Sequence, residues 1–357
     1  MSALFTPLTL KSVTLRNRIV LSPMCQYSAQ DGFADNWHLV HYGSRAVGGA
    51  GLVLVEATAI SPEGRITPDD LGLWRDEHVE KLKTITDFIT EQGAVPGIQL
   101  AHAGRKASTL SEWKGKGKFL KPAEGGWRTV APSPIAYLKN HDTPQALTAE
   151  GIHKVITDFT DAARRAIAAG FKVIEIHAAH GYLLHEFLSP LTNHREDLYG
   201  GSFENRIRLL LEVVNSIRKV IRQEIPLLVR ISATDWEKGG WDPEQSVQLA
   251  SILSKIGVDL LDVSSGGLIA NAEIPIDYGY QLPFASIIQR KTSMRTGSVG
   301  MLTDPIQMET ILRTGETDLI IIGRELLRDP YFPLHAAERL NEKIVWPVQY
   351  QRARPIR

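Results

Sequence analysis

Short apolar, β-branched runs alternate with longer amphipathic ones along most of the chain. Residues 19–24, 51–56, 95–100, 173–177, 227–231, 258–263, 298–301 and 318–322 have strand character. Most are apolar on both faces, as strands covered on each side by helices are. Residues 78–92, 149–169, 203–222, 243–256 and 304–313 carry helical periodicity between them. Thr148 is placed to cap the second of these helices. Thr303-Asp304-Pro305 combines a capping side chain with proline in the first turn. Gly170, Gly257 and Gly315 follow last helical residues, where a left-handed cap is usually needed.

Eight strand–helix alternations predict an α/β fold, a single closed (β/α)8 TIM barrel, in preference to an open doubly wound sheet. Residues 4–18 read as an N-terminal hairpin that plugs the bottom of the barrel. Residues 104–147 form a long excursion after the third strand, rich in Gly, Pro, Lys and Trp. No sharp linker divides the sequence, so residues 1–357 are read as one domain. At roughly 150 residues per domain the length would give two, but one decorated barrel takes about 250 residues or more.

Lys plus Arg number 40 and Asp plus Glu number 40, for a formal net charge of zero. This excludes a strong global field for nucleic acid or anionic membranes. The excursion carries Lys106, Lys114, Lys116, Lys118 and Lys121 with Trp113 and Trp127 interleaved. Glu112 and Glu124 dilute that charge, so it reads as a solvated loop or a lid and not as a nucleic-acid patch. Cys25 is the one cysteine, which excludes an intrachain disulfide, a four-cysteine zinc site and an iron–sulfur cluster. No targeting segment is visible, and no apolar stretch approaches the roughly 20 residues that span a bilayer. The expectation is a cytoplasmic protein with neither nucleic-acid nor membrane partners.

In a barrel of this kind, reactive side chains sit at the C-terminal strand ends and in the loops that follow. The first strand ends in Ser22-Pro23-Met24-Cys25-Gln26-Tyr27 and the second in Glu56-Ala57-Thr58. The third ends in Gln99-Leu100-Ala101-His102-Ala103-Gly104-Arg105-Lys106 and the fourth in His177-Ala178-Ala179-His180-Gly181-Tyr182. The fifth carries Arg230-Ile231-Ser232, the sixth ends in Ser264-Ser265-Gly266-Gly267, the seventh carries Gly300 and the eighth ends in Gly323-Arg324. Backbone N–H groups and the arginine fork at Gly323-Arg324 suit a phosphate. His177 and His180 read as a metal pair, as two donors to one substrate oxygen, or as locally satisfied loop histidines. The metal reading lacks the glutamate of His-Glu-x-x-His and an obvious further ligand. Cys25 is a nucleophile or a small buried hydrophobe. Tyr27 and Tyr182 donate protons or pack. Arg230, inside an apolar strand, requires an anionic partner and so predicts something negative in the barrel mouth.

Taken together, the four segments that begin at Ser22, Gln99, His177 and Asp197-Leu198-Tyr199-Gly200-Gly201-Ser202 closely resemble the old yellow enzyme family. The match is to its bacterial NADPH dehydrogenase, or thermophilic-like, subclass, and it runs from Leu4 to about Arg352. Arg230-Ile231-Ser232-Ala233-Thr234-Asp235-Trp236 and Ile322-Gly323-Arg324-Glu325-Leu326-Leu327 resemble the same subclass. The resemblance implies a non-covalent flavin mononucleotide (FMN) in the barrel mouth. Ser22, Pro23, Met24, Cys25, Ala57 and Gln99 would line its ring, Arg230 its N1–O2 edge, and Gly300, Gly323 and Arg324 its phosphate. It implies an ene-reductase: NADPH reduces the flavin, then hydride passes to the β-carbon of an α,β-unsaturated carbonyl compound in ping-pong fashion. His177 and His180 would hold the carbonyl oxygen, Tyr182 would protonate the α-carbon, and Tyr27 would position the substrate. Cys25 would tune the flavin and not act as a nucleophile. Enones, maleimides and nitro compounds are the implied substrates, and phenols the inhibitors. The ending Val348-Gln349-Tyr350-Gln351-Arg352 matches a segment that reaches a neighbouring subunit's site, implying a homodimer or homotetramer. Arg354 and Arg357 compete with Arg352 for that role. The alternatives are a metal-dependent hydrolase on the same barrel and a tRNA-dihydrouridine synthase.

Overall fold

Eight parallel strands pair each with the next, and the last closes on the first. They are β1 (Ile19–Leu21), β2 (Leu52–Ala59), β3 (Val95–Ala101), β4 (Val173–Ala178), β5 (Leu227–Ser232), β6 (Leu260–Ser264), β7 (Thr296–Ser298) and β8 (Leu319–Ile322). Closure is the pairing of Ile320 with Ile19. The structure is a computed structural model that describes residues 2–115 and 117–354. Lys116 and Arg357 therefore lie outside the described residues.

Alternation inside the strands builds the barrel in layers. Val20, Leu52, Leu54, Val173, Leu228, Leu260, Leu319 and Ile321 share an apolar cluster with Leu8, Leu10 and Leu15. Those last three lie on an antiparallel hairpin, Leu8–Leu10 against Val13–Leu15, which fills the bottom as expected. Two residues further along each of three strands the same face turns polar: Glu175 follows Val173, Arg230 follows Leu228 and Asp262 follows Leu260. The next step gives His177, Ser232 and Ser264 at the rim. The intervening residues Ile174, Ile176, Val229, Ile231, Leu261 and Val263 pack outward in the helix-facing core.

The connecting helices are α1 (Asn36–Val47), α2 (His78–Glu91), α3 (Ala149–Ala168), α4 (Phe203–Val220), α5 (Pro243–Lys255), α6 (Leu282–Lys291) and α7 (Pro305–Arg313). Thr148 Oγ1 accepts from Gly151 N at 3.2 Å, and Asp304 caps Ile306 and Gln307. Gly170, Gly257 and Gly315 have φ of +91°, +94° and +70°. The sequence reading missed α1 and α6. The inner face of α1 mixes His38, His41 and Arg45 with Tyr42, Gly43 and Ala46, so only a weak apolar stripe marks it. Strand β7 lies two residues earlier than expected, because Gly300 (φ +126°) and Met301 (φ +50°) leave the extended region. Strand β2 runs on to Ala59 through a register shift between Val55 and Ala57.

The excursion is tied down at several points. Thr109 bridges Phe119, residues 130–131 pair with 145–146, and Trp127 Nε1 donates to Glu63 O at 2.9 Å. Lys114 pairs with Asp69 and Lys118 with Glu124 in solvent. Lys106 is a correction: it turns inward, away from the surface charge it was grouped with.

Leu15 is fully buried in the plug. Leu15→Ala should cost about 2–5 kcal/mol, the range for such truncations. A urea-unfolding midpoint equal to that of the unaltered chain would contradict the plug's contribution.

Candidate functional site

Above the apolar plug lies a buried charged layer. Arg230 Nε stands 3.1 Å from Asp262 Oδ2, and the β5–β6 register pairs the two residues directly. Gln99 Nε2 donates to Glu175 Oε1 at 2.8 Å. Burial pushes Glu175 up to about 8 and Asp262 up to about 6, while Arg230 pulls both down. The sequence reading sought the partner of Arg230 in a ligand; the neighbouring strand supplies it instead, because inward positions of adjacent strands meet at this height. The contact is coulombic only. The Arg230 guanidinium makes no hydrogen bond to protein among the described residues.

The loop after β4 gathers the next groups. The His177 ring centroid is 5.2 Å from that of His180 and 5.1 Å from that of Tyr182, each edge to face. His180 Nε2 meets Ser264 Oγ at 2.7 Å, and His177 Nδ1 is buried without a partner. Burial, then Arg230, holds both imidazoles well below their ordinary pKa, so both are neutral. Burial raises the Tyr182 phenol well above its ordinary value, so it keeps its proton. His180 has φ +58°, a strained value for a side chain with a Cβ. Packing enforces it. A Cβ on Gly267 would stand 2.7 Å from His180 Cα, and one on Gly181 would stand 2.4 Å from Gly267 O. Ser232 Oγ accepts from His180 N and donates to Gly266 O, and Gly181 N donates to His185 Nδ1. His185 Nε2 in turn lies 2.8 Å from buried Asp235.

On the opposite rim, Cys25 is half-buried, with Tyr27 and the Ala57 backbone as polar neighbours. Burial, then Asp70 and Glu56, pushes its thiol up, which disfavours a thiolate. Tyr27 has φ +44° and meets Trp113 of the excursion edge-on at 5.6 Å. The excursion thus reaches the barrel mouth. Glu56 supports this rim from below, accepting from Gln26 N at 2.8 Å and the Tyr42 hydroxyl at 2.7 Å.

Gly300, Gly323 and Arg324 line one cleft together with Tyr280, Gln281 and Met301. A Cβ on Gly300 would stand 2.9 Å from Gln281 Nε2, so glycine keeps the backbone open there. Arg324 is exposed on the cleft wall. The FMN of the sequence reading fits what these residues leave open. A buried guanidinium with donors to spare would suit its N1–O2 edge, and a glycine-lined cleft with an exposed arginine would suit its phosphate. Ser22, Pro23, Met24, Ala57 and Gln99 lie on the strand ends between these two features. Arg352 stands apart, exposed on the terminal turn Val348–Ala353, as does Arg354.

Several groups escaped the sequence reading. Asp262 breaks an apolar strand just as Arg230 does, and Glu175 does the same in β4. The signal is a charged residue inside an otherwise apolar run. Gln281, which accepts from Ser264 and Ser265 and donates to Val299 O, has no local signature.

Residues 3–343 match the family described as NADH:flavin oxidoreductase / NADH oxidase. The chain is 50% identical over 351 residues to an NADPH dehydrogenase of Bacillus subtilis (strain 168), covering 98% of each. Among solved structures it resembles the old yellow enzyme homologue from Zymomonas mobilis, at a TM-score of 0.79 and 29% identity. That match covers 99% of this chain and 100% of the other. Morphinone reductase matches at a TM-score of 0.79 and 28% identity, covering 96% and 91%.

Burial raises Glu56 to about 8, against about 4.3 in an unfolded chain. Between those values the folded state binds more protons, so stability falls as pH rises through the window. Glu56→Gln removes that loss. Relative to the unaltered chain, the variant should unfold at higher urea at pH 9 than at pH 6. An equal difference at both pH values would contradict the assignment.

Proposed function

The chain belongs to the NADH:flavin oxidoreductase / NADH oxidase family, and from that premise we propose that its barrel mouth reduces activated carbon–carbon double bonds. It is an FMN-dependent oxidoreductase of the old yellow enzyme type. FMN held at the mouth by Arg230, Gly300, Gly323 and Arg324 would supply the hydride chemistry, with NADPH as donor and the β-carbon of an α,β-unsaturated carbonyl compound as acceptor, the two substrates using one place in turn.

The reading rests on one observation: His177, His180 and Tyr182 converge at the end of β4, where burial favours neutral imidazoles and a protonated phenol. A neutral imidazole gives one N–H donor, and His177 has a ring nitrogen without a partner. His177 and His180 hydrogen-bond the substrate oxygen and stabilise the negative charge that develops there. His180 exchanges its Ser264 contact for that oxygen. Tyr182, beside His177, gives its proton to the α-carbon. Tyr27 flanks the substrate from the opposite rim. Cys25, a protonated thiol, tunes the flavin environment through packing and not through covalent attack. Arg230 would hold the N1–O2 edge of the flavin and offer it positive charge. The same pair of donors suits maleimides and nitro oxygens as substrates and phenols as inhibitors. The exposure of Arg352 on a terminal turn supports its reaching the mouth of a second copy, within a homodimer or homotetramer.

Anaerobic stopped flow tests the reading. The reduced enzyme should be reoxidised by 2-cyclohexenone. Tyr182→Phe should slow that step by about 10²-fold, the lower range for general acid catalysis, with little change in reduction by NADPH. Equal slowing of both half-reactions, or no reoxidation by enones, would overturn it.

A further inference from the structure

Lys106 belongs to the basic excursion by sequence and to the site by position. Its Nζ donates to His180 O at 2.9 Å and Gly267 O at 3.0 Å. The ammonium stands 4.7 Å from the Tyr137 ring centroid and 5.1 Å from that of Tyr182. It has no ion pair among the described residues; two carbonyls and two rings enclose it. Burying an ammonium without an ion-paired carboxylate is costly, and a neutral donor could bridge the same carbonyls. The charge therefore needs a reason of its own. A cation over an aromatic ring attracts its π electrons. It attracts a phenolate more strongly still, because the phenolate spreads its charge into the ring.

We propose that Lys106 is a positioning residue for proton donation by Tyr182. Its ammonium pins the loop that carries Tyr182 to the Gly267 loop and stabilises the phenolate left when the proton departs. This rests on the reading of Tyr182 as the donor to the α-carbon. In that step the Tyr182 O–H bond breaks and its proton forms the new C–H bond of the substrate enolate. The phenolate then takes a proton from solvent. The hydride that generates the enolate comes from the flavin.

The groups that face the ammonium are Arg105 beside it, Glu186 on the short helix Leu183–Leu188, Tyr137 on the excursion, and His177, His180 and Tyr182 on the β4 loop. Burial, then Arg105, lowers Lys106 to about 8, against the pull of Glu186. The help it gives is therefore present below about pH 8 and lost above it. Burial raises Glu186 to about 8 as well, so the test must separate the two.

The holoenzyme, Lys106→Met and Lys106→Arg are compared by stopped-flow reoxidation with 2-cyclohexenone between pH 6 and pH 10. The unaltered enzyme should lose rate across pH 8 by about 30-fold, the scale of a desolvated cation–π contact. Lys106→Met should be slow and flat, and Lys106→Arg fast and flat. In parallel, [13Cζ]tyrosine NMR of the oxidised holoenzyme should show the Tyr182 signal, assigned by its loss in Tyr182→Phe, shifting across pH 8. That shift should vanish in Lys106→Arg. A pH step that persists in Lys106→Arg assigns the titration to Glu186 and overturns the proposal, as does an unaltered profile in Lys106→Met. If the enone reoxidises none of the three, the functional reading fails, and the NMR shift alone decides whether Lys106 acts on Tyr182.

Discussion

The site depends on a guanidinium held inside a barrel. Arg230 is 6% exposed, stands over an apolar plug, and has Asp262 at 3.1 Å as its counter-charge. An isolated charge at that depth would cost several kcal/mol, and one carboxylate without hydrogen bonds compensates only part of it. Glu175, raised by the same burial, lies close enough for Asp262 and Arg230 both to shift it. The remaining donors of Arg230 are therefore free for an anionic group at the mouth. Burial keeps His177 and His180 neutral, and the same charge adds to the effect. One buried cation thus acts on both histidines above it, and under the proposed function it would also face the flavin edge.

A second constraint is steric. The loops after β4 and β6 approach until only glycine fits at positions 181 and 267, and His180 is forced to a left-handed backbone. That seam fixes where the His180 and Tyr182 side chains leave the chain. His185 and Asp235 buttress it from the protein side, and Lys106 clips it from the excursion side. Strain of this kind persists only where the surroundings over-determine it.

Much of this was legible in the residues. Alternating apolar runs gave the barrel, and its strand ends gave the ordered motifs that carry the resemblance. Helix α1 was hidden because its inward face mixes histidine and arginine with tyrosine, glycine and alanine. Strand β7 was displaced because glycine and a left-handed methionine end it early. The partner of Arg230 was misplaced because the reading treated strands singly. A barrel makes the third dimension decisive, and Asp262 is remote in sequence yet adjacent in register. Lys106 was grouped with its lysine neighbours because composition carries no information about which way a side chain turns.

Under the proposed function Arg230 recruits and polarises the flavin. The direct measurement is FMN content and flavin midpoint potential in Arg230→Lys and Arg230→Met. Arg230→Met should retain less flavin and hold what remains at a lower potential, with Arg230→Lys between it and the unaltered enzyme. Equal flavin content and an equal potential in all three would contradict the central claim.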